Sequence, residues 1–184
     1  MGFSVYGVYP AVLAALLFAV PARAGDAVAR LQSGLAAAPS ATQFLTERCA
    51  ALKLAAPPVI KAVREHQQRP AGAQVRALLH VAPDEVLGYR RVLLTCGLHT
   101  LSEADNWYVP SRLTPQMNRE LDSSDRPFGT VVKPLNFHRR MLKAERLDGA
   151  VRVLRITALL ETGDGTPFSL VVENYSRELV AGKK

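Results

Sequence analysis

Two charged residues fall inside stretches that otherwise read as strands, and chemistry is sought there first. In GYRRVLLT (88–95), side chains alternate between faces, so Arg90 shares one face with Val92 and Leu94 while Arg91 shares the other with Leu93. One of the two guanidinium groups should therefore point inward, into apolar company. In SLVVENYS (169–176), Glu173 shares its face with Val171 and Tyr175, where a carboxylate is partly desolvated unless it is paired. Taken singly, each reads as an edge-strand charge or as half of a structural ion pair. Taken together, one inward arginine of this pair and an inward Glu173 in one sheet would line a small anion-binding cavity. A third feature, Pro127-Phe128-Gly129, is a turn leading toward a helix, where free backbone N–H groups make a natural carboxylate site.

The remaining candidates are weaker. Trp107 and Tyr108 read as core before they read as a ligand platform, and Arg112 reads as solvated. The chain has no phosphate-cradling loop, no dinucleotide fingerprint, no HExxH and no GxSxG elbow. His66, His80, His99 and His138 are scattered, and with two cysteines they give no metal-ligand spacing. No metal and no cofactor is expected. Cys49 and Cys96 read either as one disulfide or as two separately buried thiols.

The elements that must position these residues follow from pattern. Ala-rich 25–37 reads as a first helix. Ser40 with Gln43 has capping-box spacing and opens a second, in which Phe44, Leu45, Cys49, Leu52 and Leu54 recur at helical intervals. Pro57-Pro58 stops it, and VIKAVREHQQR (59–69) is expected to form one more short helix. Residues 74–81, 88–95 and 99–109 read as extended. Thr114-Pro115 is a helix start, with the helix running through Leu121, and 128–137 is ambiguous between a helical turn and a strand. VRVLRITALL and PFSLVVENYSREL, joined by Gly163-Asp164-Gly165, form a hairpin. The expected class is α+β: a single antiparallel sheet with flanking helices, helical over 25–72 and sheet over 73–184 of one domain.

The first 24 residues read as a cleavable export signal. Ala11 to Val20 form an unbroken apolar core, Pro21 breaks it, and Ala22-Arg23-Ala24 offers a small-x-small cleavage pattern. The core is shorter than the roughly 20 residues a permanent span needs, so the expected product is periplasmic or secreted, with no stable membrane span after processing. The formal net charge is +7, but the basic residues are dispersed, which argues against nucleic acid as partner and for small anions.

The order of pieces resembles the chorismate pyruvate-lyase family. The matching stretches are YRRVLLTCG, ADNWYVPSRLT, DRPFGTVV and LVVENYSREL, in the family's order over about 85–180. The resemblance implies an antiparallel sheet with flanking helices around a buried ligand cavity. It puts the substrate-carboxylate arginine at Arg90, the active-site glutamate at Glu173 and the ligand-contacting turn at Phe128 and Gly129, with Asn106 where an enzyme of the family has a second arginine. The implied function is elimination of pyruvate from chorismate or a related enolpyruvyl acid to give a hydroxybenzoate, with Arg90 as anchor and a buried Glu173 moving the proton. The same cavity would alternatively hold a small aromatic carboxylate without turning it over. A structural envelope module with no small ligand is the third expectation.

Overall fold

A computed structural model of the chain describes residues 1–2 and 24–180. The signal core at 11–20, with Ala22 and Arg23 of its cleavage site, lies outside the described residues. Helix α1 (Ala24–Ala37) is followed by α2 (Ala41–Leu52), whose N-cap is Ser40: its hydroxyl accepts from the Gln43 amide at 3.1 Å. The Gln43 side chain turns along the helix and donates to Glu47 instead of reaching back to the cap. Leu31 and Leu35 of α1 and Leu45 and Cys49 of α2 are buried in one core with the sheet.

Two expectations about secondary structure are corrected. Within 59–69 the chain forms a strand, β1 (Ile60–Glu65), in which Ile60 and Ala62 are buried while Lys61 and Val63 are exposed. That period of two, and pairing with the next strand, override a helical propensity that is only a weak prior. Conversely, 74–81 is not a strand: Ala73–Leu78 is helix α3, which sets Val75, Leu78 and Leu79 against one face of the sheet.

The other strands are β2 (Gly88–Cys96), β3 (His99–Tyr108), β4 (His138–Arg146), β5 (Arg152–Glu161) and β6 (Pro167–Ser176). They form one six-stranded sheet in the order β1-β2-β3-β6-β5-β4, with every neighbouring pair antiparallel. Strand β4 was not anticipated, because HRRMLKAER is an edge strand with no fully buried residue. Helix α4 (Pro115–Ser123) begins at Thr114 as expected. The ambiguous 128–137 resolves to a single helical turn, α5 (Phe128–Val131), then a 3-10 turn ending at Asn136 in the left-handed region. The fold is thus α+β with one antiparallel sheet, as the sequence predicts.

One face of the sheet packs against α1 and α2 and, at its other end, against α4 and α5. The opposite face carries Trp107, Leu159 and Leu170 against α3 and Leu79. Cys49 of α2 and Cys96 at the end of β2 form a disulfide, with Cα atoms 6.3 Å apart, which ties the helical layer to the sheet. Gly88 is required by close approach: a Cβ there would stand 2.3 Å from the Tyr108 ring.

Candidate functional site

Alternation along β2 decides which arginine enters the fold. Arg91 lies on the α3 side of the sheet and is used up in ion pairs with Glu65 at 2.6 Å and Asp105 at 3.2 Å. Arg90 turns toward the helices, only 4% exposed. It stands directly across from Asn106 of β3, and Asn106 stands across from Val171 of β6, two residues from Glu173. Three adjacent strands therefore present Arg90, Asn106 and Glu173 on one face.

These residues, with Phe128, Gly129 and Phe137, line a cavity beneath the start of α2 and the α5 turn. The four residues singled out from sequence, Arg90, Glu173, Phe128 and Gly129, come together there. The cavity has a volume of about 50 Å³. Its walls are mainly apolar: Val92, Leu94, Leu160 and Val171 surround the polar groups. Phe128 is tilted against Tyr108, ring centroids 5.5 Å apart, and stacks near Phe168 at 6.4 Å. Gly129 passes so close to α2 that a Cβ would sit 3.2 Å from Thr42 Oγ1.

The sequence reading missed Arg139. It sits in β4 opposite Leu160, and its Nη2 donates to the Glu173 carboxylate at 2.5 Å. Burial works against the Arg139 charge, but Glu173, by its charge and its hydrogen bond, holds the guanidinium above its ordinary pKa. The inward alternation of Arg139 and Met141 was the available signal, once 138–146 is recognised as a strand.

Arg90 has no such partner. Its Nε and Nη2 are buried without a hydrogen bond, and burial together with the nearby Arg64 pulls its pKa below the ordinary value. Asn106 is similar: its Oδ1 accepts from Ser169 Oγ at 2.6 Å, which leaves Nδ2 buried and unpartnered. Buried donors in this state are unusual and costly. An arrangement of free donors in an apolar cavity can take a small acceptor-rich molecule, with the fork of Arg90 suited to a carboxylate.

Other residues noted from sequence fall elsewhere. Trp107 is core, its indole donating to Arg69 O at 2.9 Å. Arg112 is not a free solvated charge: its guanidinium donates to the carbonyls of Leu79 at 2.7 Å and His80 at 3.1 Å, and to that of Pro167. Among the described residues no group of His, Cys, Asp and Glu could hold a metal, and no helix is long and apolar enough to cross a membrane.

No family model matches the chain. Over 175 residues it is 41% identical to the uncharacterized protein y4mC of Sinorhizobium fredii, covering 82% of this chain and 73% of that one. The chain belongs to the y4mC family. Among solved structures, PhnF from Mycobacterium smegmatis is similar with a TM-score of 0.52 at 9% identity, over 67% of this chain. The chain spans 60% of the length of that protein. The PhnF effector domain alone gives 0.50 at 9% identity, covering 65% of this chain and 82% of that domain. At such identity the likeness is one of fold, and the fold is the chorismate lyase-like one, which this y4mC-family chain shares with those effector domains.

Proposed function

We propose that the mature chain is exported and that its cavity binds a small anionic aromatic or enolpyruvyl carboxylate, anchored by Arg90. One observation carries the reading. Of the buried charges, Glu173 is paired with Arg139 and Asp105 with Arg91, whereas Arg90 has two buried donors and no partner. An isolated buried charge is expensive, and a ligand carboxylate taking both oxygens to the guanidinium fork would offset that cost. Phe128 and Gly129 would flank the ring of the ligand. The signal pattern at 1–24 supports export, and the Cys49–Cys96 disulfide fits an oxidising compartment.

A second reading is catalytic, and the position of Glu173 favours it. Its carboxylate lines the same cavity as Arg90. There it would take the proton from the hydroxyl-bearing ring carbon as the neighbouring ring carbon's bond to the ether oxygen breaks; the ring becomes aromatic, and the enolpyruvate that leaves takes a proton at its methylene carbon to become pyruvate. Holding the substrate dry and posed would do much of the rest.

Calorimetric titration of 4-hydroxybenzoate into the protein, wild type beside Arg90→Ala, tests the first reading. Saturable binding lost in the variant is expected. Absence of binding, or binding indifferent to Arg90→Ala, would overturn it. Incubation with chorismate, following pyruvate and 4-hydroxybenzoate beside Glu173→Gln, decides the second. The mass of protein recovered from the periplasmic fraction tests export, which requires a chain beginning near Gly25.

A further inference from the structure

Resting on the carboxylate-binding reading, and opposed to the catalytic one because chorismate is a dianion, we infer that the cavity selects a monoanion, and that Asn106 is a specificity-determining residue reading a neutral or shared oxygen beside the carboxylate held by Arg90. The charges at the cavity set the first half of this inference. Arg139 is committed to Glu173 at 2.5 Å, so that pair contributes no net charge. Near Arg90 the further charges are Arg64 and Asp122, of opposite sign. Among the described residues, what remains is a single positive charge, Arg90, within walls of Val92, Leu94, Leu160 and Val171. One ligand carboxylate neutralises it. A second would be desolvated with no cation to meet it, a cost well above that of a neutral polar group.

Asn106 sets the second half. It is 3% exposed and directly opposite Arg90 across β2 and β3, a spacing at which cross-strand side chains reach a common partner. The Ser169 hydroxyl holds Oδ1, so the amide presents Nδ2 as a donor that no protein atom satisfies. A neutral donor there rewards an acceptor oxygen but supplies no charge for a second acid group. The site is thus matched to one carboxylate and at most one further uncharged oxygen at this end of the cavity.

The test is a calorimetric series on the full chain with 4-hydroxybenzoate as monoanion, 4-hydroxybenzamide as its neutral counterpart and terephthalate as dianion. The monoanion should bind at least about tenfold more tightly than either of the others. Asn106→Leu should weaken the monoanion about tenfold, and Asn106→Asp further, since it brings a carboxylate against the ligand's own. Equal affinity for monoanion and dianion overturns the inference. So does unchanged affinity in Asn106→Leu, with the variant's thermal transition establishing that it is folded. The wild-type series stands even if a variant does not fold. If Arg90→Ala abolishes binding of both acids while the two bind alike in wild type, the selectivity inference fails and the anchor stands. If Arg90→Ala changes nothing, the anchor itself fails.

Discussion

Arg139 of β4 donates to Glu173 of β6 at 2.5 Å, with the two side chains 4% and 7% exposed. Between these strands lies β5, so the pair reaches across an intervening strand along the face that forms the cavity. It fills that part of the wall with a neutral unit and leaves Arg90 as the uncompensated cation. Removing either partner alone would leave a buried charge with nothing to meet it.

Arg139→Met or Glu173→Leu alone should therefore destabilise the protein by about 3–5 kcal/mol, while the double variant should lie much closer to wild type. Urea unfolding of all four proteins measures the coupling. Additive losses would mean that the pair is not energetically joined.

The Cys49–Cys96 bond closes a loop with a sequence separation of 47 residues. In the chain-entropy account such a crosslink restricts the unfolded state by about 4 kcal/mol. Cys49→Ala with Cys96→Ala should unfold at distinctly lower urea concentration than the oxidised wild type, and added reductant should shift the wild type but not the variant.

Gly88 lies under the Tyr108 ring, with no room for a methyl group. Gly88→Ala should cost about 1–3 kcal/mol, because Tyr108 is buried and has no alternative position without disturbing its contact with Phe128. A thermal melt within a degree of wild type would show that the ring moves freely.

Tyr89 donates to Asp105 at 2.6 Å, and burial, that bond and the carboxylate's charge push its phenol up to about 12. An unfolded tyrosine ionises near pH 10. Below that value the stabilisation is fully present; between the two, the unfolded chain releases a proton that the folded chain retains, and stability falls as pH rises. Tyr89→Phe should be less stable than wild type at pH 8 and should lose stability less steeply above pH 10, as read by urea unfolding across that range.

How much of this was legible in the sequence depends on whether a residue's environment is local. Ser40 and Thr114 cap helices through amides three residues away, and both were readable. Alternation within β2 shows that one of Arg90 and Arg91 turns inward, but not which; the resemblance singled out Arg90, and the structure turns Arg90 inward. Strand β1 and helix α3 were misread because their short segments take their form from the sheet they pack on, and 59–69 has polar residues that suit either state. Arg139 was missed because β4 is an edge strand whose apolar signal is faint, and its partner lies 34 residues further along the chain. The pairing of Cys49 with Cys96 likewise depends on α2 lying over the end of β2, which no local pattern encodes.

The strand order has one more consequence, for assembly. Strands β1, β2 and β3 form one block and β4, β5 and β6 another, and they meet only where β3 pairs with β6. Arg90 and Asn106 belong to the first block, Arg139 and Glu173 to the second. The cavity therefore does not exist until the last strand, ending at Ser176, has docked along that seam. A chain that folds from its N-terminus keeps its ligand pocket open and unformed until the segment up to Ser176 is free to dock, and a ligand touching both blocks would then act as a clasp across the seam.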